Sequence, residues 1–429
     1  MYENLIGQEE VVRILRSDLE RKELPPSLLF AGPENAGKLT AALETARALS
    51  CETGAAAWNC PCPSCERHRT LSHPDLLLMG PRSFRAEIKA AGEALGRSPN
   101  RAARFLFYRA VRKLTRRFDP ALFEGEESRL SKASALLQTL DELLESAGPD
   151  AEDAGQAPGE SAQAAAKALP VADKLEALLP DALPIFQVRA VERWARLAPY
   201  GRVKVAVIEN AERMLDGARN ALLKILEEPP ATSRFLLLSS RPSALMPTIL
   251  SRVRTYPFRP RDARASREIL AKVFRAAPGE ADLSLDEYLA ARKPLPESAT
   301  DEYAFRFLTA VCYQASREGV FIPDPLLDLS GDAPDPTVHK AVSDISAATK
   351  GFGSGDDSLS YLFPAFLRSL ARLVRSRARA SEPRTDAILA LWAAAIRDAQ
   401  VRYETYNLSP PALAERLAEA LAESLRSVP

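Results

Sequence analysis

The sequence predicts an α/β module built on a parallel sheet, continued by segments that are helical only. Three observations carry that prediction. Short apolar runs at Ser27–Phe30, Leu76–Met79, Val203–Ile208 and Phe235–Leu238 are too brief for helices and apolar on both faces, as in strands buried inside a parallel sheet. The first of them runs into Gly32-Pro33-Glu34-Asn35-Ala36-Gly37-Lys38, a glycine-bearing turn that opens a helix. Beyond Phe258 the composition turns to helical periodicity.

In chain order, Glu9–Glu20 is an amphipathic helix with Val11, Val12, Ile14, Leu15 and Leu19 directed inward. Pro25-Pro26 breaks the chain ahead of the first strand. In the turn that follows, the G-x-x-x-x-G-K spacing aims backbone amides at one point, and the next helix, Leu39–Leu49, offers its positive end there. Lys38 adds a point charge, so Gly32–Thr40 is predicted to hold the phosphates of ATP. Leu39 departs from the pattern, which wants a Ser or Thr hydroxyl for Mg²⁺. Thr40 is one helical step on, rotated by about 100°, and is a poor substitute.

Cys51, Cys60, Cys62 and Cys65 follow in the pattern C-x8-C-x-C-x2-C. Four thiols this close suit one tetrahedral structural Zn²⁺ with no open coordination position. His68 is expected to be a solvent-exposed neighbour of the cluster rather than a ligand. Met1–Gln8 lacks a basic start and an apolar stretch, and the longest apolar run, Ala387–Ile396, is too short to span a bilayer. The expectation is a cytoplasmic protein with no membrane contact, in a reducing compartment where a metal clip is favoured over disulfides. With 57 basic and 57 acidic residues, no bulk field draws the chain onto DNA, and any nucleic-acid contact must be local.

From Asn220 the chain reads N-A-L-L-K-I-L-E-E-P-P, and Pro247–Arg252 reads P-T-I-L-S-R. With Tyr2, Ile6-Gly7-Gln8 and His73-Pro74-Asp75, these motifs resemble the clamp-loader branch of the AAA+ ATPases, which contains the gamma/tau and delta-prime subunits of bacterial DNA polymerase III. The resemblance implies an AAA+ P-loop domain over 1–257 with a zinc module at 51–65, a helical lid over 258–321, and an oligomerising all-α collar over 336–429. It also implies site residues. The strand Val203–Ile208 should end in Asp-Glu, the Asp for Mg²⁺ and the Glu to polarise the attacking water. Glu209-Asn210 stands there instead, and a lost general base costs roughly a hundred- to ten-thousand-fold. Ser239 or Ser240 takes the place of the hydroxyl that orients the γ-phosphate. Arg252 corresponds to the arginine that reaches a neighbouring subunit's ATP, although a lone Arg at a helix end otherwise serves as a solvated cap. Arg267 is a candidate for the lid arginine. The implied role is an assembly subunit that acts through Arg252, with a gamma/tau-type ATPase motor as the alternative. The implied partners are gamma/tau, delta, the sliding clamp and primer-template DNA.

From about 82 to 184 the resemblance stops, and this stretch is expected to be a helical, partly disordered insertion. Arg101–Arg117 carries seven basic and no acidic residues, with Phe105, Tyr108, Val111, Leu114 and Phe118 along one helical face. Its cations are expected on a solvated face, the alternative being phosphate contacts. Leu130–Leu144 is a second amphipathic helix, and Gly148–Ala166, low in hydrophobic bulk, is expected to be a disordered tether. A helix from Gln187 to Leu197 leads back to the sheet. Further helices are expected at Ala265–Ala276, Leu285–Ala291 and Tyr303–Arg317. A Pro/Gly/Asp-rich link at Ile322–Pro336 then precedes Leu359–Arg379 (interrupted by Pro364), Thr385–Tyr403 and Pro411–Leu425.

Overall fold

The computed structural model describes residues 1–149, 159–180, 182–293, 297–323, 326, 358–377, 383–406 and 410–427. Strands β1 (Ser27–Ala31), β2 (Leu76–Met79), β3 (Lys204–Ile208), β4 (Ser233–Ser239) and β5 (Arg254–Pro257) are parallel and lie in the order β2-β3-β4-β1-β5. Four of them are the apolar runs seen in the sequence. The fifth, R-T-Y-P, is exposed at three of its four positions, so no apolar pattern announces it; it pairs with β1 at the sheet edge. The chain leaving β1 does not continue beside it but crosses to β2 at the far edge. Strand order therefore reverses at β1, and the crevice at such a strand's carboxyl end is where α/β sheets bind ligands.

Alternate strand residues feed two different cores, as the two-residue strand period requires. Leu28, Phe30, Leu76, Leu78, Val205 and Val207 pack with α1 (Glu9–Glu20) and α2 (Lys38–Ser50). Leu29, Leu77, Ala206, Ile208, Phe235 and Leu237 face the helices of the other side. After the short α3 (Pro63–Arg69), that side is built from α4 (Arg85–Arg97), α5 (Arg101–Thr115), α6 (Glu127–Ala147), α7 (Glu160–Glu176) and α8 (Ile185–Arg196). Next come α9 (Asp216–Glu227), between β3 and β4, and the single turn α10 (Pro247–Leu250).

The expected tether is thus corrected where it is described: α7 covers its last seven residues, Glu160–Ala166, while 150–158 lie outside the described residues. Low side-chain bulk here serves close packing. Ala164, Ala165 and Ala168 are buried, and a Cβ placed on Gly92 of α4 would fall 3.5 Å from that of Ala165.

Contacts divide the chain into two units, Met1–Arg292 and Lys293–Pro429. The first includes α11 (Ala263–Ile269), its continuation through a wider turn at Leu270–Phe274, and α12 (Leu285–Ala290). Leu270, Phe274 and Tyr288 pack there against Ala90 of α4. The second unit holds α13 (Glu297–Arg317), α14 (Ser358–Arg377), α15 (Pro383–Tyr406) and α16 (Pro410–Ser427). Its core joins Phe307 and Val311 to Phe366, Trp392 and Leu421. The division falls within the expected lid, 258–321: α11 and α12 belong to the first unit, and α13, which packs against α14, to the second. Pro364 does not interrupt α14: the missing N–H is one bond in a helix anchored by buried Phe363, Phe366 and Leu367. Most of the proline-rich link lies outside the described residues. No helix among the described residues is long and apolar enough to cross a membrane.

Candidate functional site

β1 ends at the glycine-bearing turn, and the Gly32 amide donates to the Ser239 carbonyl at 3.1 Å, seating the turn against β4. The turn needs left-handed backbone at Asn35 (φ 55°) and Gly37 (φ 96°). α2 then starts at Lys38 with no side-chain cap, leaving its first amides open. The Lys38 ammonium donates to the carbonyls of Gly32 (2.6 Å) and Pro33. Burial lowers its pKa, with Glu212, Glu34 and Glu209 opposing that shift. Leu39 is 7% exposed and packs in the core with Leu28 and Leu43, while Thr40 is half-buried. Asn35 donates to Asp286 at the start of α12 (2.6 Å), and a Cβ on Gly37 would fall 2.6 Å from Nη2 of Arg261. The N-terminal motif frames this arrangement. Tyr2 is buried with its hydroxyl against Thr45 (2.8 Å), and the Gln8 carboxamide clasps the Arg259 backbone in both directions.

At the end of β3, Glu209 is 5% exposed, and guanidinium groups take both of its oxygens: Arg82 donates at 2.8 Å and Arg117 to the other oxygen. Arg82 also binds Glu87 at 2.5 Å, and Lys113 closes the network on Glu87. Burial pushes the Glu209 carboxyl up, but Arg82 and Arg117 outweigh it and hold the pKa below the ordinary value. The solvated-face expectation for Arg101–Arg117 is therefore corrected. Of its seven cations only Arg101 is exposed. Arg104 caps the Ser146 carbonyl, Arg109 that of Arg69 (2.6 Å), and Arg116 that of Leu76 (2.6 Å), while Arg112 pairs with Asp141. The inward face centres on Phe107, Ala110, Val111 and Leu114, with Phe105 and Tyr108 at its margins.

Asn210 is a turn residue. Its backbone is left-handed (φ 47°), which Asn tolerates, and its amide donates to the Pro81 carbonyl at 2.6 Å. The Ser239 hydroxyl accepts from the Arg241 amide, and Ser240 donates to Glu212 at 2.9 Å. Glu212, Arg82, Arg117 and Arg261 are site residues that sequence reasoning missed. The one available signal was the absence of acidic residues from 101–117, which leaves seven cations to find partners elsewhere. The donors that the resemblance assigns to Mg²⁺ are committed elsewhere: Leu39 supplies no oxygen, and Arg82 and Arg117 hold both oxygens of Glu209, while Glu212 keeps one buried oxygen, Oε2, without a hydrogen bond.

The four cysteines fit a metal. Their Sγ atoms all lie within 4.8 Å of one another and are buried; Cys51 and Cys60 are 3.8 Å apart. A tetrahedral zinc with Zn–S of about 2.3 Å requires S···S separations of about 3.8 Å. Amides of Ala56 and Cys65 point at Cys51 and Cys62, and Arg47 reaches Cys65, donors that suit thiolate charge. His68 is not exposed. It is 3% accessible, stacks on His73 with centroids 4.2 Å apart, and burial holds its pKa well below the usual value. His73-Pro74-Asp75 joins this module to the sheet: His73 meets Ser64, and Asp75 accepts from the amides of Tyr200 and Gly201. Arg252 lies on the surface just past α10, paired with Glu227 of α9 at 2.7 Å and donating to the Thr248 carbonyl. Arg267 is exposed on α11.

A family model described as "DNA polymerase III, delta subunit" matches residues 7–126 and 121–262, so its two segments meet inside the expected insertion. A "DNA polymerase III subunit delta'" of Pseudomonas aeruginosa is 46% identical over 93 residues, 22% of this chain and 27% of that protein. One from Bacillus subtilis is 34% identical over 99 residues, 22% of this chain and 30% of its own length. A "DNA polymerase III subunit gamma/tau" of Mycobacterium tuberculosis is 39% identical over 72 residues, 17% of this chain and 12% of that protein. The chain thus spans no more than three tenths of the length of these relatives.

Proposed function

Because the chain belongs to the family described as "DNA polymerase III, delta subunit", we propose that it is a delta-prime-like subunit of the clamp loader, which hydrolyses ATP poorly itself and acts through Arg252 on a neighbouring subunit's nucleotide. Its partners in this reading are gamma/tau and delta, and through the assembly the sliding clamp and primer-template DNA. Zn²⁺ on Cys51, Cys60, Cys62 and Cys65 staples a small protrusion, α11 and α12 form the lid, and the second unit serves as the oligomerising collar. The observation that carries the reading is the state of Glu209. A carboxylate that must organise Mg²⁺ and its water cannot do so while Arg82 and Arg117 hold both oxygens. Leu39 and Asn210 point the same way: one is committed to the core, the other to a left-handed turn. Arg252 is exposed, and its planar fork suits developing phosphoryl charge on another chain.

The gamma/tau-type motor is the second reading, favoured by Lys38 and an intact glycine turn. ATP turnover by the isolated chain separates the two. The expected rate is no faster than background; robust turnover abolished by Lys38→Ala would establish the motor. Leu39→Thr with Glu209→Asp and Asn210→Glu is expected to restore little, because Arg82 and Arg117 remain in place.

A further inference from the structure

The turn at Gly32–Lys38 keeps its own cationic groups while the groups that would hold Mg²⁺ are spent elsewhere. We propose that Gly32–Lys38 and Arg261 together bind the phosphates of a nucleoside di- or triphosphate without a divalent cation, Arg261 taking the cation's place. The inference rests on the reading of Gly32–Thr40 as a phosphate loop.

Phosphate groups gathered in a loop need counter-charge beyond backbone amides and one lysine. In a metal-dependent site a hydroxyl and a carboxylate hold the ion that supplies it. Here Leu39 is packed in the core, and Glu209 is neutralised by Arg82 and Arg117. Arg261 stands where a replacement is needed. It lies on the chain leaving β5, half-buried, with its guanidinium against Gly37 at the mouth of α2. Several inward arginines are bound to carboxylates, as Arg47 is to Glu44, Arg117 to Glu209, and Arg292 to Glu93 and Glu280, and others, Arg104 and Arg109, to backbone carbonyls. Arg261 has no such partner among the described residues, and its buried Nε, like those of Arg47 and Arg117, has no hydrogen bond. Asp286, whose charge acts on Arg261, is bonded to Asn35. Burial lowers the Arg261 pKa to about 10, with Asp286 opposing the shift, so the group is still charged at neutral pH. A planar, desolvated fork beside open helix amides and Lys38 is the donor set that a phosphate oxygen pair satisfies in bidentate fashion.

The test is calorimetric titration of the full chain with ADP, ATP and pyrophosphate. The buffer is freed of Mg²⁺ without chelator, so that the cysteine site is undisturbed, and the titrations are repeated with Mg²⁺ added. Binding that changes by less than about threefold on adding Mg²⁺, and weakens by about tenfold or more in Arg261→Gln, is the expected result, since a hydrogen bond to a charged group is worth on the order of tenfold in affinity. Lys38→Ala should weaken binding comparably, and Arg264→Gln, at an exposed position nearby, should not. Binding that requires Mg²⁺ overturns the inference but leaves the phosphate loop standing. So does binding lost in Lys38→Ala and unchanged in Arg261→Gln. No binding of any probe to the folded chain overturns both.

Discussion

Glu87 is the joint of the buried ion network, and replacing it by Gln measures what that network contributes. Its carboxylate accepts from Arg82 at 2.5 Å and from Lys113. Burial works against the charge, yet Lys113 and Arg82 outweigh burial and bring the pKa from 4.5 down to about 2. At about 1.4 kcal/mol per unit, that depression corresponds to about 3 kcal/mol of folding stability at neutral pH. The sign follows from the direction: a carboxyl with a lowered folded pKa contributes fully above about pH 4.5, and the contribution fades as the pH falls towards about 2. Glu87→Gln keeps the shape, removes the charge and strands Lys113 beside a neutral amide. Scanning calorimetry of the full chain should show the first unit melting about 5–10 °C lower in the variant at pH 7.5. At pH 3.5 the gap should shrink by about 1 kcal/mol, because the unfolded carboxyl has then taken up its proton while the folded one has not. Any metal lost in acid is lost from both proteins and cancels in the comparison. A cost under about 1 kcal/mol, the range of exposed ion pairs, or a cost that does not change with pH, would mean that the charge on Glu87 does not stabilise the fold.

Metal analysis of protein purified without chelator should find one Zn²⁺ per chain, and stripping it should raise hydrogen exchange across residues 47–69; a zinc-free chain with unchanged exchange would remove the metal from the account. Arg252→Ala should cost under about 1 kcal/mol in stability, since its ion pair with Glu227 is exposed. In a reconstituted clamp loader the same change should lower ATPase at the adjacent site by on the order of a thousandfold, with little rescue by Arg252→Lys. Equal rates, with assembly verified in both, would leave Arg252 as the cap of α10.

Short-range pattern is legible in the chain before it folds. Four of five strands stand out because a strand buried on both faces must be apolar at every position, as in Leu76–Met79. The phosphate turn and the cysteine cluster are equally local: Gly37 is needed where φ is positive, and the thiols lie within fifteen residues of one another. β5 escaped because an edge strand needs no apolar run, and α7 because small residues that pack closely resemble the composition of a tether. The tertiary structure alone decided the use of charge. Arg117 meets Glu209 across 92 residues and Arg82 across 127, so no spacing rule joins them. Seven cations in a stretch that holds no acid read as a solvated helix until the fold set carbonyl ends and carboxylates against that helix. The same holds for His68 and for the division after Arg292, where each outcome depended on which surface reached the segment. A side chain's chemistry is written in the chain, but whether it is spent on core, metal, phosphate or another charge depends on what the fold brings within 3 Å of it.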